Sequence, residues 1–102
     1  MSSFKTHFQK FEITNINTTY TGITSDEYIR CSGTTSGSTY TLFLPLTTGS
    51  GNLFTIKNVS TGVITILAQG NQTIDYSSSP IVLNQYDVLR LIDADPENWD
   101  KI

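Results

Sequence analysis

Few residues in this chain carry reactive side chains in a pattern that chemistry could use. His7 is the only histidine and Cys31 the only cysteine. A histidine-activated nucleophile needs both side chains within hydrogen-bond reach and a third group to orient the imidazole. His7 lies in the segment Ser2 to Glu12, with no nucleophile-elbow sequence around it, and reads as a surface or packing histidine. Cys31 closes the apolar run Tyr28-Ile-Arg-Cys31 and reads as a small buried apolar group. The run from Asp93 to Asp100 carries the carboxylates of Asp93, Asp95, Glu97 and Asp100. Calcium takes about six to eight oxygens from a loop that curls around it. This run lacks the glycine of such a loop and is stiffened by Pro96, so it reads as a solvated turn without a metal. Paired-carboxylate glycoside hydrolysis would need two acids facing each other across a cleft, and nothing in the spacing sets that up. The Gly33-to-Ser38 loop lacks the lysine and spacing of a phosphate-binding loop. No enzyme activity and no cofactor are expected. Among the aromatic residues, Tyr76 and Trp99 are the candidates for stacking on a carbohydrate. Trp99 has core packing as its competing role, and Tyr76 stands exposed beside the turn Ser77-Ser-Ser79.

The elements that would position these residues are β-strands. Threonine and serine occupy 27 of 102 positions and alanine two. Thr is branched at Cβ and suits strands, and Ser suits turns. Charged residues make up 15%, against roughly 25% in an average soluble protein. The net charge of −3 and the scarcity of Lys and Arg speak against binding a phosphate backbone. No apolar run approaches the roughly 20 residues of a membrane-spanning helix, and no secretion signal is apparent. One cysteine allows no intrachain disulfide. Synthesis in a reducing cytoplasm is the expectation.

Phe4, Phe8 and Phe11 fall on one face of a short helix if residues 2–12 are helical, with Ser2 or Ser3 as cap. The competing conformation is an extended arm. These phenylalanines are candidates for anchoring the chain to a neighbour. Strand signals follow at Phe11–Thr14, Tyr20–Thr24, Tyr28–Cys31 and Tyr40–Leu44, the last ended by Pro45. Leu53–Lys57 and Val63–Leu67 flank a five-residue loop with Gly62, which predicts a hairpin with Phe54 and Ile56 on one face. Gln72–Tyr76 follows. Ile81–Leu83 and Val88–Ile92 are unbroken apolar runs, which predicts central strands covered on both faces. A last short strand carries Trp99. With no helix long enough for a crossover, a parallel α/β sheet is not expected. The fold expected is all-β, an antiparallel sandwich or jelly roll over residues 20–102, with residues 1–19 as a short N-terminal helix or arm.

From about Tyr20 to Ile102, most strongly from Tyr40 onward, the chain resembles a module that recurs in tail fibres, baseplates and receptor-binding proteins of tailed bacteriophages. The residues that carry the resemblance are Leu44-Pro45, Gly51, Phe54-Thr-Ile-Lys-Asn58, Gly62, Ile64-Thr-Ile66 and Gly70-Asn-Gln-Thr-Ile-Asp75. Ser77-Ser-Ser79, Ile81-Val-Leu83, Gln85-Tyr86, Val88-Leu-Arg-Leu-Ile92, Asp93 and Asn98-Trp99 follow in the same order. The resemblance implies a non-enzymatic structural protein of the virion, made in the host cytoplasm and acting through homo-oligomeric, commonly trimeric, assembly with other phage structural proteins. Its alternative is a module that binds a host receptor or cell-surface polysaccharide. It implies neither nucleic-acid binding nor membrane insertion. The chain departs from the family in standing as a single copy and in its aromatic N-terminal segment.

Overall fold

The computed structural model describes residues 10–33 and 39–102. Phe4, Phe8, His7 and nearly all of the helical segment expected over residues 2–12 lie outside them. Ten strands form two sheets, and among the described residues there is no helix. They are β1 (Ile13–Ile16), β2 (Tyr20–Thr21), β3 (Tyr28–Cys31), β4 (Tyr40–Phe43), β5 (Leu53–Asn58), β6 (Ile64–Leu67), β7 (Thr73–Ile74), β8 (Ile81–Leu83), β9 (Val88–Asp95) and β10 (Asn98–Lys101). One sheet has the order β1-β3-β5-β9-β10-β7 and the other β2-β4-β6-β8.

The all-β expectation and the two layers are met, but the path of the chain is not that of an antiparallel sandwich or jelly roll. Odd strands β1, β3 and β5 stack in parallel, and so do even strands β2, β4 and β6. The chain therefore winds between the sheets as a β-solenoid of about three turns. A parallel pair needs a long crossover. Here each crossover contains a strand of the opposite sheet, so no helix is required. Only the C-terminal part reverses direction. β8 runs antiparallel to β6, β9 to β5 and β10 to β9, while β7 is parallel to β10.

Three local expectations are corrected by this path. Residues 53–57 and 63–67 do not form a hairpin, because β5 and β6 lie in different sheets and the Asn58–Gly62 loop is a corner of the coil. β8 is an edge strand with Val82 exposed, and β9 alternates between buried and outward residues, so neither is covered on both faces. β1 lies within the segment assigned to the N-terminal arm and pairs along its whole length with β3.

The core follows from the alternation of side chains along each strand. Parallel register sets like residues side by side, in columns that cross the strands. Ile29, Ile56 and Leu89 form one column, and Phe54 lies opposite Leu91. Across the coil, Tyr40, Ile64 and Leu83 form a second column, and Leu42 lies beside Ile66. All of these side chains are buried. Trp99 closes the space between the layers. Its ring lies 5.6 Å from that of Phe54 at 47°, and its indole N–H donates to the Pro45 carbonyl at 3.2 Å. Gly22 sits where the first turn passes under Pro45. A Cβ there would lie 2.9 Å from the proline Cδ, closer than carbon atoms pack.

The corner between β5 and β6 is built around Asn58, which is fully buried. Its amide nitrogen donates to the carbonyls of Gly62 and Leu83, and its Oδ1 accepts from the backbone N–H and hydroxyl of Ser60. Every hydrogen-bonding site of this amide is engaged. Orphaning a buried polar group costs roughly 1–3 kcal/mol, so Asn58→Ala should lower stability by at least about 3 kcal/mol. Ile56→Ala, a cavity in the central column, should cost about 2–5 kcal/mol. Urea unfolding followed by Trp99 fluorescence measures both. An Asn58→Ala loss no larger than that of an exposed alanine substitution would remove the corner role.

Candidate functional site

Three features separate themselves from the packed core: a strained tyrosine turn, an acidic hairpin and a row of cations. The turn Ile74–Ser77 is a two-residue reversal, closed by Ile74 N–H to Ser77 O at 3.0 Å and Ser77 N–H to Ile74 O at 2.9 Å. Its central residues Asp75 and Tyr76 have φ of 49° and 59°. Such turns favour Asn and Gly, and a bulky residue there is strained. Tyr76 is held by two contacts of its own and one of its neighbour. Its N–H donates to Asn98 Oδ1 at 2.7 Å, its hydroxyl donates to Asp95 Oδ2 at 2.8 Å, and the neighbouring Asp75 accepts from Lys101 N–H at 3.0 Å. The ring itself is 73% exposed. The exposed position expected of Tyr76 is what is found, and it is displayed on a fixed base. Trp99, the other carbohydrate-stacking candidate, is 2% exposed and belongs to the core. The structure does not bring the two rings together on one surface.

The solvated turn expected of the acidic run is confined to Pro96 and Glu97, between β9 and β10. β9 continues through Asp95, and its carboxylates point to separate tasks. Asp93 is buried and accepts from Thr48 N–H, Gly49 N–H and the hydroxyls of Thr48 and Ser50 at 2.8–3.3 Å. Burial pushes this carboxyl upward, but the donors of Gly49, Thr48 and Ser50 outweigh it and hold the group below the usual carboxylate value. Asp95 accepts from Glu97 N–H at 2.8 Å and from Tyr76. These two bonds, the backbone one first, lower its pKa. Asp100 accepts from the Asn98 amide at 2.8 Å. Among the described residues, no three His, Cys, Asp or Glu side chains converge as a metal site would require.

Cys31 is buried, in register between Ile16 and Asn58. Burial pushes its thiol up to about 11, against a smaller opposing effect of the Tyr40 hydroxyl. Tyr40 donates to Ser32 O at 2.7 Å, with Ile16 O at 3.2 Å as second contact, and so bridges two turns of the coil. Desolvation raises its own pKa, with the neighbouring Cys31 adding to the effect. Phe11 is 47% exposed and lines a cleft of about 380 Å³ with Ser25, Glu27, Asn52 and Leu53.

The feature that sequence reasoning missed is the cation row. Arg30 on β3 lies beside Lys57 on β5, and Arg90 on β9 stands opposite Thr55, two residues along β5 from Lys57. These side chains alternate with buried Ile29, Cys31, Ile56, Leu89 and Leu91, so all three occupy the outer face of the six-stranded sheet. In sequence they are scattered, and only the register of the coil assembles them. Their alternation with apolar residues marked them as outward-facing, but nothing in the chain gave the register.

No family model matches this chain, and neither a curated protein nor a solved structure does.

Two measurements check this geometry. Because the folded-state pKa of Asp93 is depressed, its stabilisation is complete above the unfolded carboxylate value of about 3.9. It is lost as the pH falls through the folded value. Asp93→Asn should therefore flatten the decline of stability in acid relative to the unmodified chain, in urea titrations from about pH 6 to 2. An unchanged slope would contradict the assignment. Alkylation of Cys31 near pH 8 should stay slow in the native protein and become fast in denaturant, read by intact mass.

Proposed function

We propose that this protein is a non-enzymatic bacteriophage virion component of a tail, fibre or baseplate, acting through homo-oligomeric assembly. The observation that carries the assembly reading is the N-terminal end of the coil, where β1 has no outer strand among the described residues. The phage context rests on the ordered motifs of Leu44 to Trp99.

At the far end, the coil is finished by strands that reverse direction, and its edges β7 and β8 are two and three residues long, with Pro80 just before β8. Short edges with a neighbouring proline make poor templates for further pairing. At the near end, β1 is a regular four-residue strand with no outer partner among the described residues. Tyr28 N–H donates to Glu12 O and Ser32 N–H to Ile16 O. Even-numbered residues of this strand therefore turn their backbone groups to β3. Ile13 and Asn15 turn theirs to the open side. Solenoid ends need covering, and a row of free donors and acceptors is covered by adding another strand. A structural module that joins others uses such an end.

The alternative is a receptor- or carbohydrate-binding module, favoured by one observation, the rigidly mounted and exposed Tyr76. Its test is binding to host polysaccharide that Tyr76→Ala abolishes.

The assembly reading is tested with Asn15→Pro. Proline at this position removes an outward donor and leaves the β1–β3 ladder intact. Light scattering should show an oligomer for the unmodified chain and a smaller species for Asn15→Pro, with circular dichroism unchanged. A chain that is monomeric at all concentrations defeats the reading.

A further inference from the structure

We propose that the outer face of the six-stranded sheet docks onto a second copy of this chain, its cationic strands β3, β5 and β9 lying on the acidic β7–β10 border of the neighbour. This inference rests on the assembly reading above and names a second, lateral surface for it.

The face is unusual for an acidic protein. The chain has six Lys and Arg residues against nine Asp and Glu. Three of the six, Arg30, Lys57 and Arg90, share this face, and none has an ion pair among the described residues. Neighbouring strands lie about 4.8 Å apart, so Arg30 and Lys57 sit side by side. Like charges so placed are destabilising. Among the described residues no ion pair offsets that cost.

The acids are gathered elsewhere. Asp75, Asp95, Glu97 and Asp100 surround β10 and the Tyr76 turn, from the end of β9 to the β7 border of the same sheet. One cation, Lys101, stands among them, 3.8 Å from Asp75, with both side chains about half exposed. One molecule thus carries both halves of a complementary contact, and they adjoin, since β9 with Arg90 pairs directly with β10.

The occupant is a protein surface because the cations are interleaved with apolar groups. Ile13, Leu53 and Val88 are 59%, 41% and 49% exposed. Ile13 is in register with Tyr28, Leu53 with Ile92 and Val88 with Lys57, which places them on the outer face. Interfaces combine an apolar centre with Arg and aromatic anchors. The acidic border offers Tyr76 as such an anchor. A cationic patch meeting an acidic one pairs either once, head-to-tail, or twice about a two-fold axis.

The experiment uses the full chain in sedimentation velocity at about 0.1 M and about 1 M salt, where the screening length falls from roughly 10 to 3 Å. Self-association should weaken by about 10-fold or more across that range. Lys57→Glu with Arg90→Glu should be impaired in self-association, and so should Glu97→Lys with Asp95→Asn. Mixing the two variants should restore association, since each supplies the patch the other lacks. An oligomer indifferent to salt and to both charge changes overturns this inference while leaving the assembly reading standing. A monomeric unmodified chain overturns both. Salt-sensitive binding of a polyanion such as heparin, without self-association, overturns it in favour of an anionic ligand.

Discussion

The structure depends on satisfying backbone groups at the corners of a coil. Strand ladders pair the straight segments, but each passage from one sheet to the other leaves amides and carbonyls without ladder partners, and burying them unpaired is costly. A few buried polar side chains meet this constraint. Asp26 accepts from Thr14, Tyr20 and the Ile23 N–H, and so ties β1, β2 and the turn after β2. Burial, reinforced by that bond to Asp26, raises the Tyr20 phenol. Asn58 holds the corner between β5 and β6, Asp93 fastens the loop that leads into β5, and Asn98 fixes the Tyr76 turn. The aliphatic columns supply most of the burial, but they would serve many packings. The polar groups choose this one.

This arrangement explains how a chain with so few charges and so much threonine holds a regular coil. Outward positions need only a strand-forming residue, which threonine provides. Inward positions need aliphatic side chains of similar size in register. Among the described residues, charged side chains then lie at corners, edges and one outer face, apart from the buried Asp26 and Asp93. On that face Arg30, Lys57 and Arg90 have no ion pair among the described residues, and acids gather on the adjoining β10–β7 side of the sheet.

Strand positions were legible in the sequence because apolar residues alternate with Thr and Lys in runs such as Phe54-Thr-Ile-Lys57. Trp99 was rightly read as a core candidate and Tyr76 as exposed. The connectivity was not legible. A five-residue loop with Gly62 can turn a strand back on itself or carry it around a corner, and the local residues are the same in both cases. What decides is the pairing of β5 with β3, set far away in sequence. The same limit hid the cation row and the role of Asp93, whose donors lie more than forty residues upstream. An isolated reading of Asp93-Ala-Asp-Pro96 as a turn missed that its first acid belongs to the interior.

The reversed strands at the C-terminal end carry a consequence for how such a protein changes length. A turn of parallel coil is a self-contained module, with one strand for each sheet and a polar corner between them. Another turn inserted between β2 and β3 would meet the same registers above and below and would leave the β8–β10 cap and its Asn98 and Asp93 contacts alone. An insertion after β6 would separate the cap from the strands it closes. This architecture is extensible from one side only, so relatives of different length would share the capped end and vary in the number of turns beneath it.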